Sequence, residues 1–186
     1  MRSKIAGPAS SDGFSLVELT LLLGMMVVIM AISIPTLSNS LRDMQLAADA
    51  RNIAAALASA RMSAIAQMTH CRVSFDLQKN SWWVEKLNRS TGEFELQQAA
   101  YSLSEGVANS GIAFEDDSPF APSGFPTASS TSITFNSRGI PIDSAGVPTA
   151  SSIVYLKKGD SLFAISVSLS GKIQLWKMEG GQWVAR

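Results

Sequence analysis

The chain has 186 residues, 46% of them hydrophobic, with 15 basic and 15 acidic side chains and a single cysteine, Cys71. That length fits one globular core plus an appendage. The balanced charge excludes a surface that traps nucleic acid over its whole extent, and a lone cysteine excludes an intramolecular disulfide. The charges are nonetheless uneven. Between Glu93 and Asp117 there are six acids and no base, whereas from Arg138 onward six bases face three acids, which puts any anion-binding surface in the last third.

Residues 1–13 are short and polar, carry Arg2 and Lys4, and lead directly into an apolar run over 14–34 that ends at Pro35. This is the pattern of an export signal. As a helix the run reaches roughly 30 Å, the thickness of a bilayer's hydrocarbon core. Bases before it and none immediately after it predict a cytoplasmic N-terminus with the remainder exported. Pro35 lacks an N–H and crowds the preceding turn, so a helix kink is expected there. Glu18 is the exception in the run. A carboxylate costs about 2.5 kcal/mol or more near the centre of a membrane helix, and less near the interface. It either snorkels to the headgroups or pairs with a cation on a neighbouring helix.

The stretch Gly13-Phe14-Ser15-Leu16-Val17-Glu18-Leu19 resembles the cleavage and methylation motif of type IV prepilins and type II secretion pseudopilins. The resemblance implies that a membrane prepilin peptidase cuts after Gly13 and methylates Phe14. It also implies that Glu18, the fifth mature residue, meets the N-terminal amine of an adjacent subunit. Pro35 then falls at mature position 22, where such helices commonly bend. Asp12 departs from the basic or neutral residue usual before the glycine.

Beyond Pro35, Leu46, Ala50, Ile53, Leu57, Ala60, Ala64 and Met68 recur at steps of three and four, with Arg42, Asp49, Asn52, Ser59, Ser63 and Gln67 between them. The spacing predicts an amphipathic helix over 36–69 whose narrow, alanine-rich stripe packs closely on a sheet. The pair Ala60-Arg61 followed by Ala64-Ile65 resembles the helix of the GspH/FimT group of minor pilins and pseudopilins.

From Cys71 the period becomes two. Cys71, Val73, Phe75 and Leu77 face one way and Arg72, Ser74 and Asp76 the other, which predicts a half-buried strand. Further strands are expected at 82–87, 93–98, 132–136, 153–157, 162–168, 172–178 and 182–184, with turns at Gly139, Gly159, Gly171 and Gly180-Gly181. Residues 117–131, rich in Pro, Ser, Gly, Ala and Thr, read as a long exposed loop. Phe135-Asn136-Ser137-Arg138-Gly139 and Ser168-Leu169-Ser170-Gly171-Lys172-Ile173 resemble the two glycine-turn signatures of the GspH/FimT soluble domain. The expected fold is α+β, a long N-terminal helix on an antiparallel β-sandwich. It divides into a leader at 1–13, a membrane and assembly segment at 14–35, an amphipathic helix at 36–69 and a β-rich head at 70–186.

No catalytic constellation is visible. His70 is the one histidine, no serine lies in a nucleophile elbow, and on a strand His70 and Cys71 would face opposite sides. Cys71 reads as a small buried apolar residue. No Cys/His cluster has zinc spacing, and Glu115-Asp116-Asp117 reads as a solvated loop in preference to a calcium site, so no metal and no cofactor are expected. Nucleic acid is the remaining alternative. Some FimT-like pilins use a basic glycine-arginine motif for DNA uptake, and the matching Gly171-Lys172-Ile173-Gln174 keeps one base. Lys157, Lys158, Lys172 and Lys177 could complete a patch, but lysines on sheet edges also prevent aggregation, and DNA binding is not expected.

The resemblance implies a structural, non-enzymatic minor pseudopilin of a type II secretion system. Its partners would be other pseudopilins, the peptidase and the inner-membrane assembly platform. It would cross the bacterial inner membrane once with its head in the periplasm, before entering the filament. The alternative is a minor pilin of a type IV pilus, acting in assembly or DNA uptake.

Overall fold

A computed structural model describes residues 15–104, 111–150 and 152–186, with the backbone alone for 32–40 and 42. The chain divides into two compact units, 1–40 and Leu41–Arg186, and one helix, α1 (Leu16–Ala66), contributes to both. The helical assignment passes through Pro35. The leader at 1–13, with Gly13, and the adjoining Phe14 lie outside the described residues.

In the second unit α1 supplies the predicted stripe. Leu46, Ala50, Ile53, Leu57, Ala60 and Ala64 are buried in the core. Alanine at three of these six positions brings the helix backbone close to the strands beneath it. The stripe is one residue shorter than expected, because Met68 is 70% exposed. Its φ is 50°, and the Thr69 and Met68 amides donate to the carbonyls of Ala64 and Ile65. That is the bond pattern of a Schellman closure, with Met68 in the left-handed position that glycine usually takes. Asp49, expected on the polar face, is also buried. Its carboxylate accepts the Ser104 amide at 2.8 Å and the Ser104 hydroxyl at 2.9 Å, which satisfies the charge where it stands.

Among the described residues eleven strands form two antiparallel sheets. In chain order they are β1 (Cys71–Asp76), β2 (Ser81–Leu87), β3 (Phe94–Leu96), β4 (Tyr101–Ser102), β5 (Ala113–Glu115), β6 (Ser132–Phe135), β7 (Pro141–Ile142), β8 (Ser152–Lys158), β9 (Ser161–Val167), β10 (Ile173–Glu179) and β11 (Gln182–Ala185). One sheet has the order β3-β2-β1-β6-β7 with β4 also on β2, and the other β11-β10-β9-β8-β5. Cys71, Val73, Phe75, Ile133 and Phe135 from the first join Val154, Leu156, Phe163, Ile165 and Val167 from the second in one core with the helix.

The run Ile153-Val154-Tyr155-Leu156 on β8 is buried throughout, which requires cover on both faces of the sheet. The outer cover is the 117–131 segment. The segment is the long, largely exposed loop expected from its composition, but it is tied down across the sheet. The Tyr155 hydroxyl donates to the Pro126 carbonyl at 2.7 Å, Trp183 Nε1 donates to the Phe120 carbonyl at 3.0 Å, and Phe125 packs beside Ile153, Tyr155 and Ala164.

Candidate functional site

Two hairpin turns, one from each sheet, are built alike. Between β6 and β7 the Gly139 amide donates to the Asn136 carbonyl and the Asn136 amide to the Ile140 carbonyl, while Asn136 Oδ1 accepts the Ile140 amide. Between β9 and β10 the Gly171 amide donates to the Ser168 carbonyl and the Ser168 amide to the Lys172 carbonyl, while Ser168 Oγ accepts the Lys172 amide. Each turn carries its glycine at positive φ, +73° at Gly139 and +75° at Gly171. This is a tight turn closed by a left-handed residue.

The two turns meet over the last part of α1. A methyl group on Gly171 would lie 2.4 Å from the Gly139 carbonyl oxygen and 2.7 Å from Arg61 Nε, and one on Gly139 would lie 2.7 Å from Ile65 Cδ1. Arg61 joins all three elements. Its Nε donates to the Gly139 carbonyl at 3.0 Å and a terminal nitrogen to the Ser170 carbonyl at 3.1 Å. The guanidinium fork reaches two carbonyls that a single amine could not both satisfy in one plane. Ala60-Arg61, Ala64-Ile65 and the two glycine turns, separate in sequence, are therefore one contact. Sequence reasoning picked out each motif but not this junction. The arrangement is mechanical, a staple holding helix and sheets in fixed register.

At the other end of α1 the chemistry is different. Ser15 precedes the helix, and its carbonyl accepts the Leu19 amide at 3.1 Å. From Leu16 to Met30 the large apolar side chains are between 49% and 79% exposed. Glu18, in the first turn, is exposed among them. An acid there suits the positive end of the helix dipole. Among the described residues no helix is long and apolar enough to cross a membrane; described side chains in this run end at Ala31.

The four lysines singled out above do not share a surface. Lys158 is buried and donates to Gln45 Oε1 at 2.6 Å, and Lys177 lies 3.9 Å from Asp43 and 3.5 Å from Glu179, so both face the helix side. Lys157 turns to the opposite side and lies 3.5 Å from Glu115. Lys172 belongs to the β9–β10 turn at the far end of β10. Glu115 is thereby an ion-pair partner, and no group of three or more metal-ligating side chains occurs among the described residues. Burial pushes the Cys71 thiol up, only partly offset by Lys86, so it stays protonated at neutral pH. A carboxylate cluster on the first sheet is structural. Arg72 and Ser74 donate to Glu85 at 2.7 and 2.8 Å. Burial pushes the Glu85 carboxyl up, but bonds from Arg72, Ser74 and Trp83 outweigh it and hold it below its usual range.

A long helix that buries its second half under two antiparallel sheets and carries exposed apolar side chains along its first is the pilin-like α+β class. A model of the family described as Type II transport protein GspH matches residues 49–171, and the chain belongs to that family. The matched span runs from the buried Asp49 to the second glycine of the staple. The chain is also similar to two solved structures of the minor pseudopilin EpsH from the type 2 secretion system of Vibrio cholerae. The first is 16% identical with a TM-score of 0.48, over 70% of this chain and 95% of that one. The second is 15% identical with a TM-score of 0.46, over 70% and 92%. No curated protein matches.

Proposed function

We propose that this chain is a minor pseudopilin, a structural subunit of the periplasmic filament of a type II secretion system, and not an enzyme. Prepilin peptidase cleaves after Gly13 and methylates Phe14, the run 14–34 anchors the subunit in the inner membrane with its head in the periplasm, and the assembly platform passes it into the filament. The observation that carries this reading is the division of labour along α1. Its second half is consumed by the protein's own core, whereas the apolar side chains of Leu16 to Met30 are left for lipid or for other helices. Membership of the GspH family supports the choice of system.

Glu18 has a specific part in assembly. When anchoring helices leave lipid and pack together, a carboxylate is tolerable beside a cation, and the freed amine of a neighbouring Phe14 supplies one. Glu18→Ala is therefore expected to leave insertion, processing and the head's fold intact while strongly reducing incorporation into filaments, as read by shearing and cross-linking. Glu18→Leu is expected to insert more readily still and to assemble no better. Wild-type incorporation of both variants would reduce Glu18 to a snorkelling acid.

A further inference from the structure

The six-stranded sheet turns its second face, opposite the core, into one wall of a cleft of about 680 Å³. Arg72 on β1 and Thr134 on β6 are direct cross-strand partners there, and Ser132 lies two residues along β6 on the same face. His70, two residues before Arg72, lines the cleft as well. The 143–149 loop supplies another wall. Asp143 Oδ1 accepts the Ala145 amide at 2.9 Å and the Val147 amide at 2.8 Å, which fixes that loop with Ser144 in the lining.

Arg72 is the central group. Its Nε donates to Glu85 at 2.7 Å and its guanidinium carbon stands 4.1 Å from the centre of the Phe94 ring, so the group is held from two sides. Glu85 balances its charge, yet its terminal nitrogens make no hydrogen bond among the described residues, and the side chain is 31% exposed. The His70 imidazole and the hydroxyls of Ser132, Thr134 and Ser144 likewise have no hydrogen-bond partner among the described residues.

A fixed, charge-balanced fork with its terminal donors unused selects an uncharged ligand rich in acceptors. The hydroxyls and a neutral imidazole around it both donate and accept, so the ligand's own groups must do both. Vicinal hydroxyls on a sugar ring have that property. An anion gains less, because the one arginine is already paired and the Asp143 carboxylate also lines the cleft. The volume lies within the range of small-molecule clefts, about 300–1,000 Å³. We propose that this cleft binds a neutral glycan segment, whose ring hydroxyls bridge the Arg72 fork and the hydroxyls of Ser132, Thr134 and Ser144. The site lies wholly in the head, so the inference stands whether or not the anchor enters a filament.

The test uses the full chain in lauryldimethylamine oxide, because a glycoside detergent would compete for the cleft. Titration calorimetry and saturation-transfer NMR with chitotetraose and cellotetraose are expected to show saturable binding. Preference for chitotetraose assigns the ligand to N-acetylated glycans of the cell-wall type; equal or better binding of cellotetraose assigns it to unsubstituted glucans. Arg72→Lys keeps a cation beside Glu85 but removes the fork, and should weaken binding about tenfold. Thr134→Val keeps the branched shape and removes one hydroxyl, and Ser144→Ala does the same on an exposed loop; each should weaken binding about threefold to fivefold. Thermal unfolding of every variant identifies those whose head is folded, and only these are compared. Absence of saturable binding to both tetrasaccharides, tighter binding of the anionic tetragalacturonate, or wild-type affinity in the folded variants would overturn the proposal.

Discussion

Arg61 and the two glycines it touches are where single side chains govern the register of the whole head. Gly171→Ala combines a left-handed backbone, worth about 1–2 kcal/mol against a side chain, with a methyl 2.4 Å from a backbone oxygen that cannot move without breaking its own turn. A loss of about 3 kcal/mol or more is expected in a denaturation titration. Arg61→Ala leaves two carbonyls without their donor, and a loss of about 2–3 kcal/mol is expected. Tyr155 gives a second handle. Burial, with the Asp117 charge adding to it, raises its phenol from 10.0 to about 12. The neutral form is the one the fold accepts, so between those pH values the unfolded chain loses the proton and the folded chain keeps it. About 2–3 kcal/mol of stability should drain away over that window as pH rises. Tyr155→Phe should abolish that dependence in alkaline denaturation curves, whatever its effect at neutral pH.

Elements with many turns or many alternating residues were legible in the sequence, and those set by distant partners were not. The helix stripe from Leu46 to Ala64 and the strands β1, β2, β8, β9 and β10 follow from spacing, because periodic apolar residues must share a face. The two-residue strands β4 and β7 and the short β5 are too brief to carry a period and exist through pairing with β2, β6 and β8. The 117–131 segment has loop composition, and what folds it onto the sheet is the Tyr155 hydroxyl and the Trp183 indole, contributed from far along the chain. For Asp49 a signal was available. It stands three residues after Leu46 and four before Ile53, which places it on the apolar face and demands a partner. The apolar spacing continues to Met68, but the helix ends at Ala66. There the left-handed turn makes a prediction of its own. Met68→Gly should stabilise the head by about 0.5–1 kcal/mol in thermal or chemical unfolding, since it relieves the backbone and gives up a mostly exposed side chain.

For the whole molecule, α1 gives its second half to the core and leaves the described side chains of its first half exposed. The family motifs in the head were legible as separate motifs in the sequence; that they form a single staple is a property of three-dimensional closure, in which Arg61 meets the Gly139 and Ser170 carbonyls, 78 and 109 residues further along the chain. That staple fixes the two sheets in register on the last turns of α1. Processing at Gly13 is the step that most directly separates a filament subunit from a secreted domain. Intact-mass analysis of the full chain produced together with a prepilin peptidase should show loss of residues 1–13 and gain of one methyl group on Phe14, with the product retained in the membrane fraction. Release of a soluble head by cleavage near Pro35 would contradict it.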